Sequence, residues 1–88
     1  MSRTLADTSE DFSIGLGQRI REARHAARMS LDQLAVITCM SKAGLWQIEQ
    51  GHSSPGAGTL WRLSRALRIS IDYMVSGSEP AYLAEGRA

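Results

Sequence analysis

Residues 30–51 have the sequence SLDQLAVITCMSKAGLWQIEQG and contain two short helical patterns. The first pattern follows Ser30, a residue type that commonly precedes a helix because its hydroxyl accepts a hydrogen bond from a free backbone N–H. Gln33 stands three residues later, which is the spacing of a capping box. A helix is therefore predicted over about residues 31–37.

The second pattern repeats these signals after a very short linker. Ser41 is again a helix-start residue and Gly51 is typical of a helix end, so a helix is predicted over about residues 41–50. Only residues 38–40 separate it from the preceding helix. Two helices joined by such a tight turn, with the small residue Ala35 where they must pack closely, are typical of a helix-turn-helix.

Further helices are predicted on either side of this stretch. Apolar residues at steps of three and four, the period of one face of an α-helix, predict helices over about residues 15–28 and 57–67. Ser70 begins a short fifth helix that Gly77 ends. No segment shows the alternation that is typical of a strand. The predicted fold class is all-α, a compact bundle of five helices.

Length and charge divide the chain into one folded unit and two tails. Eighty-eight residues suffice for a single domain. Residues 1–13 are predicted to be a flexible acidic arm, residues 14–77 the folded domain, and residues 78–88 a tail able to take part in a dimer contact. The net charge of the chain is only +1, but residues 14–75 carry +4 and both tails are negative. This locally basic unit is compatible with a nucleic-acid partner, which the total charge obscures.

Several function classes are disfavoured by the composition. The longest uninterrupted apolar run is residues 34–37, far below the about 18 residues that a membrane helix needs. Cys39 is the single cysteine, so no internal disulfide is expected and a reducing cytoplasm is the predicted location. His25 and His52 are too isolated for a metal site, and no nucleophile-and-base arrangement or phosphate-binding glycine loop is present. We therefore expect no enzyme activity, no metal, no cofactor and no small-molecule ligand.

A long set of residues matches the spacing of a known family: Leu16-Gly17, Ile20-Arg21, Arg24, Ser30, Leu34-Ala35, Met40-Ser41, Leu45, Ile48-Glu49, Gly51, Pro55, Thr59-Leu60, Leu63, Ala66-Leu67 and Ile69-Ser70. On these residues the chain resembles the phage-repressor family of helix-turn-helix domains, the lambda-repressor-like or XRE-type regulators. The resemblance implies that the helix over about 41–50 enters the DNA major groove while the helix over about 31–37 crosses the DNA backbone.

The outward face of the helix over about 41–50 is the DNA-reading surface that the resemblance implies. Lys42 suits guanine acceptors or a phosphate, Ala43 suits a thymine methyl group, and Gln47 suits the adenine edge. These three residues are the predicted base-reading set. The alternative is that this face is only solvated, as polar helix faces usually are.

DNA phosphates are expected to be contacted from the two helix starts, from the end of the reading helix and from the loop that follows it. The candidates are Ser30, Ser41, Gln50, His52, Ser53 and Ser54. For the serines, the alternative is a purely structural role in capping a helix or forming a turn.

Two sets of charged residues have implied structural or binding roles. In the family, the positions of Arg24 and Glu49 often form an ion pair that fixes the reading helix against the first helix, and a simple solvated arginine is the alternative. Arg62, Arg65 and Arg68 are spaced to share one face of the fourth helix. They form either a basic rim that reaches flanking phosphates or a solvated surface.

The chain also departs from the family pattern. Leu31 stands where many members carry a glutamine that holds a phosphate and braces a base-reading side chain, so one backbone contact is weakened. Arg28, Cys39 and Arg68 stand at helix ends where the family favours glycine. Each is therefore expected to adopt a left-handed conformation at a cost of order 1 kcal/mol.

Three unusual residues need an interpretation. Gly44 inside a helix indicates a close approach of the backbone, with DNA or a neighbouring helix as the approaching group. Trp46 is large for an outward position and is expected to pack across the following loop against Pro55. The alternatives are that it covers a phosphate-facing edge or takes part in a protein contact. Trp61 lies next to the apolar stripe of the fourth helix and is predicted to belong to the core.

The expected function is that of a sequence-specific DNA-binding transcriptional regulator, acting as a repressor. Because one helix reads only a few base pairs, a homodimer on a palindromic operator is expected, nucleoid-associated in the cytoplasm when bound. The predicted dimer interface consists of Ile71, Tyr73, Met74, Val75, Tyr82 and Leu83, although these residues could instead close the core or form a tail. The alternative function is a protein-binding adaptor that keeps the fold and does not read DNA.

Overall fold

A computed structural model of the chain describes residues 5–78, which form five helices. They are α1 (Leu5–Ala26), α2 (Leu31–Ile37), α3 (Lys42–Glu49), α4 (Ala57–Leu67) and α5 (Ile71–Ser76). Residues 5–78 contain no strand, so the all-α prediction is confirmed. No helix in this range is long and apolar enough to cross a membrane.

The first helix begins ten residues earlier than predicted, at Leu5 instead of residue 15. Residues 5–13, which were assigned to a flexible arm, are therefore helical. No glycine or proline interrupts this segment, so its sequence contains no helix-breaking residue. The apolar period does not extend into this segment, since Phe12 and Ile14 are exposed. The periodicity therefore revealed only the packed part of α1.

The core draws buried side chains from every helix: Leu16, Ile20, Leu34, Ala35, Leu45, Ile48, Leu63, Leu67 and Met74. Two predictions are wrong here. Met74 was assigned to the dimer interface, but it is fully buried, because α5 packs against α1 and α4. Trp61 was assigned to the core, but it is 56% exposed. A residue one position after Leu60 is rotated by about 100° around the helix axis, which turns Trp61 away from the buried stripe of α4.

Three helices end in left-handed residues other than glycine, as predicted. Arg28, Cys39 and Arg68 have φ angles of 57°, 57° and 56°. In each case the positive φ stops the helix within one or two residues and redirects the chain into the next cap. The turn between α2 and α3 therefore depends on Cys39 adopting a conformation that costs a side-chain-bearing residue about 1 kcal/mol.

Close packing of α1 on the end of α3 occurs at Gly17. A Cβ atom on Gly17 would lie 2.7 Å from the carbonyl oxygen of Glu49 and closer still to that of Ile48. Glycine is therefore required here by the neighbouring backbone. This contact positions the C-terminal end of α3 against α1.

Arg19 joins α1 to the other end of the domain. Its Nε donates to the carbonyl oxygen of Met74 at 2.8 Å, and its Nη2 donates to that of Val75 at 3.0 Å. These carbonyls belong to the last turn of α5, where helical partners are missing. Arg19 thus satisfies the end of α5 and fixes it to α1.

Candidate nucleic-acid interface

The outward face of α3 collects the residues that were predicted to read bases. Ser41 begins the helix, with its hydroxyl accepting a hydrogen bond from the Gly44 N–H at 2.9 Å. Leu45, Ile48 and Glu49 are buried, which fixes the rotation of the helix about its axis. The opposite face is exposed and presents Lys42, Ala43, Trp46, Gln47 and Gln50.

Arg24 holds α3 in place through a two-point ion pair with Glu49. Its Nε and Nη2 donate to the two carboxylate oxygens at 2.7 Å and 3.0 Å, and its Nη1 donates to the carbonyl oxygen of Met29 at 3.0 Å. The hydrogen bonds that Arg24 donates to Glu49, together with the negative charge of that carboxylate, raise the pKa of Arg24 despite the opposing effect of burial. Arg24 therefore remains charged and ties α1, the α1–α2 turn and α3 together.

Lys42 has a partner that the sequence did not reveal. Its Nζ lies 3.4 Å from a carboxylate oxygen of Asp32 on α2, and both side chains are largely exposed. Exposed ion pairs contribute little free energy, typically about 0–1 kcal/mol. The ammonium group therefore lies between α2 and α3 and is held only weakly by Asp32.

An apolar notch lies where α2 begins beside the outward face of α3. Its walls are Leu31, Ala43 and Trp46, with Lys42 also lining it, and its volume is about 440 Å³. The resemblance implied a glutamine at the position of Leu31 in many members. The apolar side chain present here makes this part of the surface between α2 and α3 apolar.

Ser30 and Ser41, two of the phosphate candidates, cap α2 and α3. The Ser30 hydroxyl accepts from the Gln33 N–H at 3.1 Å, and the Gln33 side-chain oxygen accepts from the Ser30 N–H at 2.7 Å, so the predicted capping box is confirmed. Capping uses the hydroxyl oxygen as an acceptor and leaves the O–H free to donate. The structural role therefore does not exclude a phosphate contact.

The loop after α3 carries the remaining phosphate candidates, and its side chains are exposed. Ser54 Oγ lies 2.7 Å from Ser13 Oγ, which joins this loop to α1. His52 Nδ1 lies 3.1 Å from Gln47 Oε1, and its ring packs in a T-shaped arrangement with that of Trp46, with centroids 5.7 Å apart. Trp46 thus packs against the loop, as expected, although its partner is His52. Ser53 is also exposed and lies beside these contacts in the chain.

The close approach predicted at Gly44 has a local cause. A Cβ atom on Gly44 would lie 2.9 Å from Ser41 Oγ, the hydroxyl that caps the same helix. Among the described residues, this hydroxyl is the group that Gly44 accommodates, so the alternative of a neighbouring helix is wrong. The approach of DNA to Gly44 stays a prediction.

The sequence pattern of a family described as Helix-turn-helix matches residues 20–74. The chain belongs to the helix-turn-helix family. This confirms the resemblance to the lambda-repressor-like, XRE-type regulators and the fold that it implied.

Known proteins similar to this helix-turn-helix chain include regulators and repressors. The HTH-type transcriptional regulator SutR of Escherichia coli strain K12 is 33% identical over 72 residues, which cover 82% of this chain and 40% of SutR. The P22 c2 repressor, solved in complex with synthetic operator 9T, has a TM-score of 0.69 and 30% identity over 72% of this chain and 96% of that chain. The restriction-modification controller protein C.AhdI from Aeromonas hydrophila has a TM-score of 0.66 and 26% identity, with 69% of this chain and 92% of that chain covered. The helix-turn-helix chain thus spans about two fifths of the length of SutR.

The three arginines near α4 of the helix-turn-helix domain do not form one basic face. Arg65 lies over the ring of Trp61 at 5.3 Å, and Arg62 is 3.4 Å from the hydroxyl of Thr59. Arg68 lies beyond the helix and ends it with its positive φ. The proposed rim is therefore reduced to the exposed pair Arg62 and Arg65.

The predicted dimer residues of the helix-turn-helix domain are divided between the surface, the core and the undescribed part of the chain. Ile71 is exposed, and Tyr73 and Val75 are half-buried on α5. Met74 belongs to the core. Tyr82 and Leu83 lie outside the described residues.

Residues with metal-ligand chemistry do not cluster in the described part of the domain, where no group of three His, Cys, Asp or Glu side chains could hold an ion. Cys39 is exposed in the α2–α3 turn.

Proposed function

We propose that this protein is a transcriptional regulator that binds double-stranded DNA and reads its sequence with α3. The observation that carries this proposal is the exposed set Lys42, Ala43 and Gln47 on one face of a helix whose opposite face is locked into the core. A helix held in this way can enter the major groove without losing its own contacts, and base edges there present distinct donor and acceptor patterns.

Each reading residue has a chemical counterpart on DNA. Lys42 would donate to guanine acceptors or a phosphate after leaving Asp32. Ala43, in the apolar notch with Leu31 and Trp46, would meet a thymine methyl group. Gln47 would contact a neighbouring base edge. Around this set, phosphates would be contacted by Ser30, Ser41, Gln50, His52, Ser53 and Ser54.

The regulator is proposed to act as a homodimer on a palindromic operator, in the compartment that holds the DNA. An eight-residue helix spans only a few base pairs, so useful specificity requires two copies. The exposed and half-buried apolar side chains of α5, namely Ile71, Tyr73 and Val75, would form the contact, continued by Tyr82 and Leu83. Occupation of the operator would repress transcription, and the similarity to the P22 c2 repressor supports this direction.

Selection of binding sites from random duplex DNA, followed by affinity measurements across a salt series, tests the proposal. A dimer with six to ten phosphate contacts loses about 10³–10⁵-fold in affinity between 50 and 200 mM salt. Gln47→Ala should relax the base preference at one position of each half-site, whereas Gln18→Ala, an exposed glutamine on α1, should leave it unchanged. The absence of a selected motif, or an affinity insensitive to salt, would contradict DNA reading.

A protein-binding adaptor remains a second candidate, because a separate apolar surface is exposed. Val36 is 78% exposed and Ile37 55% exposed on α2, and Trp61 stands nearby on α4. Ile37 lines two open clefts of about 590 and 380 Å³, one against the α1–α2 turn and one against α4. Neither cleft is lined by α3. An adaptor would lose its function on Val36→Ser with Trp61→Ser and keep it on Gln47→Ala, the opposite of a DNA reader.

A further inference from the structure

We propose that His52 is a positioning residue that orients the side-chain amide of Gln47, so that Gln47 presents its two N–H groups to an acceptor on a base. This inference rests on the proposed DNA-reading function and deepens it by naming the chemistry of one recognised base. Guanine, with the acceptors N7 and O6 side by side in the major groove, is the base that this orientation favours.

The backbone at the end of α3 places His52 over Gln47. Gly51 has a φ of +79° and reverses the chain. The Gly51 N–H donates to the carbonyl oxygen of Ile48 at 3.0 Å, and the His52 N–H donates to that of Gln47 at 2.9 Å. This pair of bonds is the Schellman motif, in which the second residue beyond the cap returns over the last turn of the helix. The position of the imidazole is thus dictated by the glycine that ends α3.

Two contacts fix the imidazole ring in that position. Its Nδ1 lies 3.1 Å from Gln47 Oε1, and its plane meets the Trp46 ring edge-on at an interplanar angle of 77°. An amide oxygen only accepts hydrogen bonds, so Nδ1 is the donor and carries the proton. The Gln47 oxygen is thereby directed toward the loop.

This direction decides what Gln47 offers to DNA. The terminal amide of an unbraced glutamine rotates broadly, and it can present its oxygen, its NH₂ group or both. An adenine edge uses both, because N6 donates and N7 accepts. With the oxygen directed toward His52, the NH₂ group of Gln47 faces outward. It can then donate hydrogen bonds to the acceptors N7 and O6 of guanine, whereas the N4 group of cytosine is itself a donor and cannot accept them. His52 therefore shifts the preference of Gln47 from adenine toward guanine.

Substitutions of His52 by asparagine and glutamine separate the brace, meaning the hydrogen bond from His52 Nδ1 to Gln47 Oε1, from other roles of the histidine. The Nδ2 of asparagine can occupy the place of Nδ1, whereas the amide nitrogen of glutamine reaches the place of Nε2. Binding sites are selected from random duplex DNA with the wild type, His52→Asn, His52→Gln and His52→Ala. We expect the guanine-over-adenine ratio at the Gln47 position to be kept by His52→Asn and to fall about tenfold in His52→Gln and His52→Ala, within the range for one bidentate base contact.

A measurement without DNA tests the contact itself. The ¹⁵N chemical shifts of the imidazole in the wild-type chain report which ring nitrogen carries the proton. We expect the Nδ1–H form, together with a change in the Gln47 side-chain amide resonance in His52→Ala. The Nε2–H form in the neutral ring would overturn the brace.

The two proposals fail in different ways. If the wild type selects no motif, the DNA-reading function is wrong and this inference falls with it. If the wild type selects a motif whose base at the Gln47 position is unchanged in His52→Ala, the function stands and the inference is wrong. Equal unfolding midpoints of the four proteins establish that the fold is unaffected, because the backbone bonds of Gly51 and residue 52 do not depend on the side chain.

Discussion

Arg24 and Glu49 form a buried two-point ion pair that joins α1 to the last turn of α3. The side chains are 10% and 2% exposed, and both carboxylate oxygens receive a guanidinium N–H. In the described part of the chain, no buried side-chain polar atom lacks a hydrogen-bond partner. The pair therefore locks the proposed reading helix without leaving an uncompensated charge in the core.

Removing one partner of this pair should be strongly destabilising. Glu49→Gln leaves Arg24 buried without its counter-charge, and such losses cost about 3–5 kcal/mol in the free energy of unfolding. Urea denaturation at pH 7 measures the change. Asp32→Asn, which breaks the exposed pair with Lys42, is the matched control and should cost less than about 1 kcal/mol. Equal costs for the two variants would show that the buried pair does not hold α3.

Two glycines in helices should respond oppositely to the same substitution. Gly17→Ala forces a methyl group against the carbonyls of Ile48 and Glu49, and overpacking of this kind costs about 1–3 kcal/mol. Gly58→Ala in α4 meets no atom within 4 Å, so the higher helix propensity of alanine should stabilise the protein by up to about 1 kcal/mol. Thermal unfolding of the two variants gives the comparison. Stabilisation by Gly17→Ala would contradict the close packing of α1 on α3.

The apolar notch should make binding sensitive to a single methyl group on DNA. Replacing the thymine that faces Ala43 by uracil removes one methyl group, worth about 0.8 kcal/mol or about fourfold in affinity. Leu31→Gln opens the notch and should reduce this difference. Affinities for the selected site with thymine or uracil provide the measurement, and the same exchange outside the selected motif is the control. Equal affinities at the notch would remove Ala43 from the base-reading set.

Self-association through α5 should depend on its exposed apolar residue. Ile71→Ser is expected to turn a dimer into a monomer in sedimentation experiments, whereas Val36→Ser, an equally conservative change at an exposed aliphatic residue of α2, should not. Truncation after Ser70 is unsuitable, because it would also remove Met74 from the core. A dimer that persists in Ile71→Ser but dissociates in Val36→Ser would move the interface to α2.

Helix boundaries could be predicted wherever a local chemical signal marks them. Ser30, Ser41 and Ser70 cap their helices through their own hydroxyls, and Gly77 ends α5 with a φ of 80°. The apolar period of α1 could be followed only from Leu16 onward, because Phe12 and Ile14 before it are exposed. Periodicity detects burial, so it does not mark where such a helix begins.

The candidate site was predictable as a face but not as a set of contacts. The rotation of α3 follows from Leu45 and Ile48, so the exposure of Lys42 and Gln47 could be predicted. The pairing of Lys42 with Asp32 could not, because it joins two helices whose relative placement is a property of the fold. The exposure of Trp61 was missed for a different reason: its position about 100° around α4 from Leu60 follows from helix geometry and could have been predicted.

The contact between His52 and Gln47 did have a signal in the sequence. A glycine that ends a helix in a left-handed conformation brings the next residue back over the residue five positions earlier. Gly51 therefore places residue 52 beside residue 47, and the amino acids at these positions can form a hydrogen bond.

Two arginines of α1 have a geometric consequence for operator spacing. Arg24 fixes the reading helix, and Arg19 fixes the end of α5, so one rod connects the DNA contact to the proposed dimer contact. In a symmetric dimer, this rigid connection in each chain would fix the distance between the two reading helices and their relative rotation around the DNA axis. One base pair inserted between the half-sites rotates one of them by about 34° around the duplex axis, since a turn contains about 10.5 base pairs. Because α1 is anchored to both α3 and α5, the dimer would not adjust to that rotation. The number of base pairs between the half-sites would then be recognised together with their sequence.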